Sequence, residues 1–145
     1  MDEFQITDIY SGDIERYKHD KEAKFSKETG FPSPARDHYE KRLSLDEHII
    51  RRPAATFFVR VKGNGLNNIG IYSQDILVVD RSLKPFSGCL VVVILEGEHT
   101  LRRLEKRKGT MFLCTKENQK NATAITNDLD YEIWGVVSHS IHKHI

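Results

Sequence analysis

The stretch Gly63-Asn64-Gly65-Leu66-Asn67-Asn68-Ile69-Gly70-Ile71-Tyr72-Ser73-Gln74-Asp75-Ile76-Leu77-Val78-Val79-Asp80 has the layout of a reactive site. It reads as a glycine-marked turn, a short irregular segment and a buried strand ending on an acid. An apolar run, Phe57 to Val61, leads into it. A turn held between two strands is where a rigid scaffold usually presents a reactive side chain. The chemistry is missing, however. Between Gly63 and Ile71 there is no Ser, Cys, Asp, Glu, Lys or His, and covalent catalysis needs a nucleophile with an activating group beside it.

Three other groupings could do chemistry. Arg102-Arg103-Leu104-Glu105-Lys106-Arg107-Lys108 carries six charges, five of them basic. Such a run can touch phosphates, but near-neutral overall charge favours a solvated hairpin tip. His139, His142 and His144 suggest a metal at first sight. In a strand His139 faces away from the other two, so no convergent ligand set forms and no metal is expected. Cys89 and Cys114 lie in different apolar runs and read as buried thiols, because nothing marks a secretory context.

The elements that must position these residues follow from composition and pattern. The 145 residues suit one domain, with 39% hydrophobic residues for a modest core and 30% charged residues for solubility. Lys+Arg 22 against Asp+Glu 21 gives a net charge of +1, which selects no partner. No run is apolar enough to span a bilayer, and the acidic start Met1-Asp2-Glu3-Phe4 is unlike a signal peptide, so a cytoplasmic protein is expected. Residues 1–29 hold Ile14, Tyr17, Ala23 and Phe25 among many charges without a helical stripe, and read as a flexible arm. Gly30-Phe31-Pro32-Ser33-Pro34 then forces extended backbone. Ser44-Leu45-Asp46-Glu47 is a capping box that opens a short helix to about Arg51, ended by Pro53. Beyond it strands are predicted at Thr56–Val61, Ile76–Asp80, Leu90–Leu95, His99–Glu105, Thr110–Thr115, Ala122–Ile125 and Tyr131–His142. Several are continuously β-branched, as strands covered on both faces are. Glu96-Gly97-Glu98 and Lys106-Arg107-Lys108-Gly109 are hairpin turns. Phe57, Phe58, Tyr72, Phe86 and Phe112 are assigned to the core. Trp134, Val136, Val137 and Ile141 make an apolar closing strand whose open edge would invite a second chain. The expected fold is mostly β.

The 18-residue stretch resembles, at the same spacing, the active-site segment of the LexA and UmuD proteins. That family reads Gly-Asp-Ser-Met, then Gly-Ile, Gly-Asp and Val-Asp; Gly63, Gly70, Ile71, Asp75, Val79 and Asp80 stand at the matching positions. Gly30-Phe31-Pro32-Ser33-Pro34-Ala35 resembles the segment following the self-cleavage bond of UmuD. Gly97-Glu98-His99-Thr100-Leu101-Arg102-Arg103-Leu104 resembles the segment bearing the family's lysine, and Trp134-Gly135-Val136-Val137 its closing strand. The resemblance runs from about Thr29 onward and implies a peptidase-like β domain over residues 30–145 behind a flexible arm at 1–29.

It also implies what has been lost. The family's nucleophilic serine falls on Gly65, its aspartate neighbour on Asn64, its general-base lysine on Arg102, and the cleaved bond between Thr29 and Gly30. Ser73 and Ser87 lie off the motif positions. Glycine has nothing to attack with, and arginine keeps its proton. Removing either half of such a unit removes most of the catalysis. By resemblance the chain is then a pseudo-peptidase without a cofactor, acting by binding in the SOS response to DNA damage. Its implied partners are a second copy (homodimer), a UmuC-type translesion polymerase, an active UmuD in a heterodimer, and a RecA filament. The arm would stay attached or be cut in trans by an active paralogue. Residues 1–29 are expected to be too short for a helix-turn-helix, which argues against a LexA-type repressor acting alone. Two other classes stay open: a residual self-cleaving peptidase using a different nucleophile, and a phage or plasmid accessory of a repressor or antiterminator.

Overall fold

The structure, a computed structural model, describes residues 5–11, 42–63, 69–115 and 122–145. Among the described residues there are eight strands: β1 (Gln5–Ser11), β2 (Thr56–Lys62), β3 (Ile76–Asp80), β4 (Leu90–Leu95), β5 (Glu98–Arg107), β6 (Thr110–Cys114), β7 (Thr123–Ala124) and β8 (Tyr131–Ile141). They form one sheet in the order β1-β2-β3-β8-β4-β5-β6-β7, and every pairing is antiparallel. The expected mostly β fold is therefore observed.

The continuous apolar runs take the most deeply buried places in this sheet. Leu77, Val78 and Val79 of β3 and Val91, Val92 and Val93 of β4 are all fully buried. Successive side chains of a strand point to opposite faces, so a run like this has to be covered twice. One core gathers Val59, Val61, Ile71, Leu77, Val79, Val92 and Leu101. The other gathers Cys89, Val91, Val93, Leu104, Leu113 and Val136. β1 also comes alongside β5, five places away in the sheet order, so the sheet curls round the first core.

Both predicted hairpins form. Glu96 and Gly97 have φ of 51° and 83°, and Lys108 and Gly109 have 48° and 81°. Two successive positive φ angles are the mark of the tight turn whose twist matches that of its strands. The capping residue is confirmed too: the Glu47 N–H donates to Ser44 Oγ at 3.5 Å, opening helix α1 (Leu45–Ile49). The helix stops two residues before the predicted Arg51. A 3₁₀ turn at Pro53–Ala55 then leads into β2.

Four expectations need correction. First, part of the loose arm is a strand: β1 pairs with β2, with Ile6 opposite Val61 and Ile9 opposite Val59. A bulge between Ile6 and Asp8 puts those two isoleucines on one face although they are three apart, and this hides the alternation. The boundary expected at residues 29 and 30 lies outside the described residues. Second, β8 is not the terminal strand of the sheet: it lies between β3 and β4, pairing β3 through Val136–Ile141 and β4 through Tyr131–Val136. Strand order follows pairing and not position in the chain. Third, Tyr72 and Phe86 are exposed, and Phe57, Phe58 and Phe112 are half-buried; the cores are aliphatic. Fourth, the last predicted strand stops at Ile141, and His142 leaves the ladder.

Candidate functional site

The loop between β2 and β3 is described at both ends. Gly63 (φ 123°) turns the chain out of β2, and its N–H donates to Ser73 Oγ at 3.2 Å. Asn64 and Gly65 lie outside the described residues. The chain returns at Ile69, which packs on the first core, and Gly70 has φ 85° with open space where a Cβ would stand. Glycine is required there by backbone conformation and not by crowding. Ile71 is buried in the core and anchors the return.

A tight turn over Tyr72–Asp75 follows, bonded back onto β2. The Gln74 N–H donates to the Val61 carbonyl at 2.7 Å, the Val61 N–H to the Asp75 carbonyl at 3.1 Å, and Arg60 Nη1 to the Gln74 carbonyl at 3.3 Å. Gln74 itself has a positive φ of 74°. Asp75, 1% exposed, is the buried acid of the loop. Its Oδ2 accepts the Tyr72 N–H at 2.8 Å, and its Oδ1 lies 2.5 Å from His142 Nδ1. The Tyr72 ring rests on the His142 ring at 4.8 Å between centroids, and His144 meets His142 edge-on at 5.0 Å. A buried carboxylate needs such partners, since leaving it unpaired is costly. In the sequence His142 stands out only as one of a histidine group with His139 and His144, and its pairing with Asp75 is a finding of the structure. The signal was available in Asp75, a buried acid that must be met by a donor from elsewhere.

At the far end of β3, Asp80 is buried as well. Its Oδ1 accepts from the Ser82 N–H at 2.8 Å and the Ser82 hydroxyl at 2.5 Å, and its Oδ2 lies 3.5 Å from Arg52 Nη1. The two motif acids thus hold structure: Asp75 fixes the loop and Asp80 fixes the turn after β3.

Arg102 sits on β5 opposite Val91 and is 9% exposed. Its Nη1 donates to Thr100 Oγ1 at 2.7 Å and to the Leu101 carbonyl at 2.9 Å, so the guanidinium lies back along its own strand. Arginine is a donor without acceptor capacity and stays charged. This side chain cannot take a proton from a nucleophile. Thr29 and Gly30 lie outside the described residues.

Of the residues expected at a dimer surface, Trp134 is the extra residue of a bulge in β8 against β4. Phe57 packs edge-on against it at 5.0 Å, Arg81 lies 4.7 Å over its ring, and Arg81 Nε donates to its carbonyl at 2.8 Å. Val136 is buried in the second core, Val137 packs on the first, and Ile141 is exposed. The basic hairpin carries a pair of its own: Arg107 bonds Glu105 at 2.5 Å and holds its carboxyl below the usual glutamate range. Both cysteines are free and buried, and burial pushes the Cys114 thiol up, with Glu105 adding to the shift. Among the described residues no three His, Cys, Asp or Glu side chains converge as metal ligands, and no helix is long and apolar enough to cross a membrane.

Residues 24–138 match the Peptidase S24-like family. SamA of Salmonella typhimurium is 42% identical over 114 residues, 79% of each chain. MucA of Escherichia coli is 40% identical over 115 residues, again 79% of each chain. A LexA repressor from Shewanella denitrificans is 37% identical over 93 residues, which are 64% of this chain and 44% of that one.

Proposed function

Because the chain belongs to the Peptidase S24-like family, whose members are self-cleaving serine peptidases, its site is to be judged by that chemistry, and we propose that it acts by binding and not by cutting. Arg102 carries this reading. It occupies the base position, and its guanidinium is already spent on Thr100 and the Leu101 carbonyl. Gly65 at the nucleophile position supplies no attacking atom. The described part of the loop is held in place: it is tied to β2, and Asp75 and Asp80 both have hydrogen-bond partners.

The role we assign is that of a dimeric accessory to a UmuC-type translesion polymerase in the response to DNA damage. The support is the resemblance to UmuD and the similarity to SamA and MucA over most of the chain. A dimer contact through β8 would use its C-terminal half, Val137–Ile141, which is laddered to β3 on one edge only among the described residues and where Ile141 is exposed. Exchange with an active UmuD would follow from a symmetric contact, because the same patch serves either partner.

The test is restoration. Gly65→Ser combined with Arg102→Lys is expected to yield a fragment beginning at Gly30 when incubated with a RecA–single-stranded DNA filament, while the unmodified protein yields none. A fragment from the unmodified protein would overturn the binding reading. Capture of a UmuC-type polymerase by the full-length chain tests the partner separately.

A further inference from the structure

The near-neutral charge of the chain conceals a separation along β5. At the hairpin where β5 begins stand Glu96 and Glu98. Glu132 lies opposite Ile94 in the adjoining ladder, and the Asp130 carbonyl accepts the Glu96 N–H at 3.1 Å. At the other end, around Lys108–Gly109, stand Arg103, Lys106, Arg107 and Lys108. Arg107 and Glu105 neutralise one another as a close pair. Arg103, Lys106 and Lys108 therefore keep a cationic excess, and the two lysines are exposed.

The loop after β3 closes onto this basic end. Ser87 Oγ accepts the Lys106 N–H at 3.0 Å, the Gly88 N–H donates to the Leu104 carbonyl at 2.7 Å, and the Leu104 N–H donates to the Cys89 carbonyl at 2.9 Å. Within the loop, the Cys89 N–H donates to the Phe86 carbonyl at 3.2 Å, the Phe86 N–H points at Cys89 Sγ at 3.4 Å, and Gly88 has φ 96°. Leu83 and Cys89 go to the second core. Phe86, between them in sequence, is left 61% exposed, with exposed Lys84 two residues away. A bonded turn fixes the backbone that carries this exposed ring.

An exposed aromatic ring on a fixed turn, with lysines on the same and the adjoining segment, is a combination that binds single strands. The ring stacks on a base of any identity, and the lysines meet phosphates and release counterions. We propose that Phe86, Lys84, Lys106 and Lys108 form a binding surface for single-stranded nucleic acid without sequence preference. A purely acidic segment would use the lysines alone, whereas a base also stacks on the ring. The proposal does not depend on whether the chain cleaves itself, since none of these residues stands at a dyad position.

The test uses the full-length protein and a short fluorescein-labelled oligothymidylate at low salt, read by anisotropy. Saturable binding is expected, with affinity falling as salt rises. Phe86→Ala is expected to weaken it roughly tenfold or more, and Phe86→Tyr to preserve it, as stacking requires. Lys106→Gln with Lys108→Gln should reduce the slope of log affinity against log salt by about 1.4, or about 0.7 per lost phosphate contact on a single strand. Because these side chains are exposed, thermal unfolding should be unchanged in all variants, and the lysine pair gives a reading independent of Phe86. Absence of binding overturns the proposal. So does binding that Phe86→Ala leaves intact while polyglutamate competes as well as oligothymidylate, which would mark the surface as a site for acidic protein.

Discussion

Asp75 is the side chain on which the site loop turns, and its partner comes from beyond the last strand. Replacing His142 by Ala leaves one carboxylate oxygen of a fully buried acid without its 2.5 Å contact. We expect a loss of about 1–3 kcal/mol, the usual cost of orphaning a buried polar group, measured as a lower urea midpoint with unchanged slope. Asp75→Ala should cost at least as much, because the Tyr72 N–H is orphaned too; the double variant should cost less than the sum, as contacting pairs do. Glu105 gives a pH signature of known sign. Arg107 lowers its pKa in the fold, so the unfolded chain binds its proton first on acidification. Its stabilising contribution is complete above the ordinary glutamate value of about 4.3 and fades as pH falls through the lower folded value. Arg107→Gln should shrink the acid-side loss of stability between neutral pH and about pH 3, read from unfolding curves across that range. Cys114 has the opposite sign. Its raised pKa keeps the thiol protonated in the fold, so its contribution is present below about pH 8.5 and declines as pH rises.

Among the elements, β8 is fitted most tightly to its neighbours. A Cβ on Gly135 would overlap Val79 Cγ1 and press on Arg81 Cγ at 3.3 Å. Gly135→Ala should therefore destabilise by about 1–3 kcal/mol, as overpacking of a filled core does, with the unfolding midpoint as the measurement. β3 and β4 were legible in the sequence to the residue, because a short β-branched run covered on both faces has no other use. The turns at Glu96–Gly97 and Lys108–Gly109 were legible because positive φ angles select glycine beside them. β1 was not, since the bulge after Ile6 breaks the period on which such reading depends. The exposure of Phe86 was equally hidden, on a turn fixed by hydrogen bonds from Leu104 and Lys106, far off in sequence. Of the site, the positions of Asp75, Asp80 and Arg102 were legible from spacing, while the partners they take were not, because spacing carries no information about which distant strand will lie alongside.

For the whole molecule, the sheet order makes β8 a bridge. It pairs with β3 on one side and β4 on the other, and β3 and β4 share no ladder with each other. Without β8 the sheet falls into two pieces, β1-β2-β3 and β4-β5-β6-β7, with β3 and β4 each left at an open edge. A chain ending before Tyr131 should show no cooperative thermal transition, although most of its strands remain, and adding Tyr131–Ile145 as a separate peptide should restore one in part. The same order has a consequence in time. A ribosome releases β8 last of the eight strands, so neither core can be sealed while the earlier seven emerge, and the pairings that complete the fold are among its most distant in sequence. Such long-range closure is slow. The half-sheets must wait with open edges, and a chain in that state is exposed to aggregation and to holding by chaperones. Rates of folding, more than final stability, are where substitutions in β8 should first be felt during synthesis.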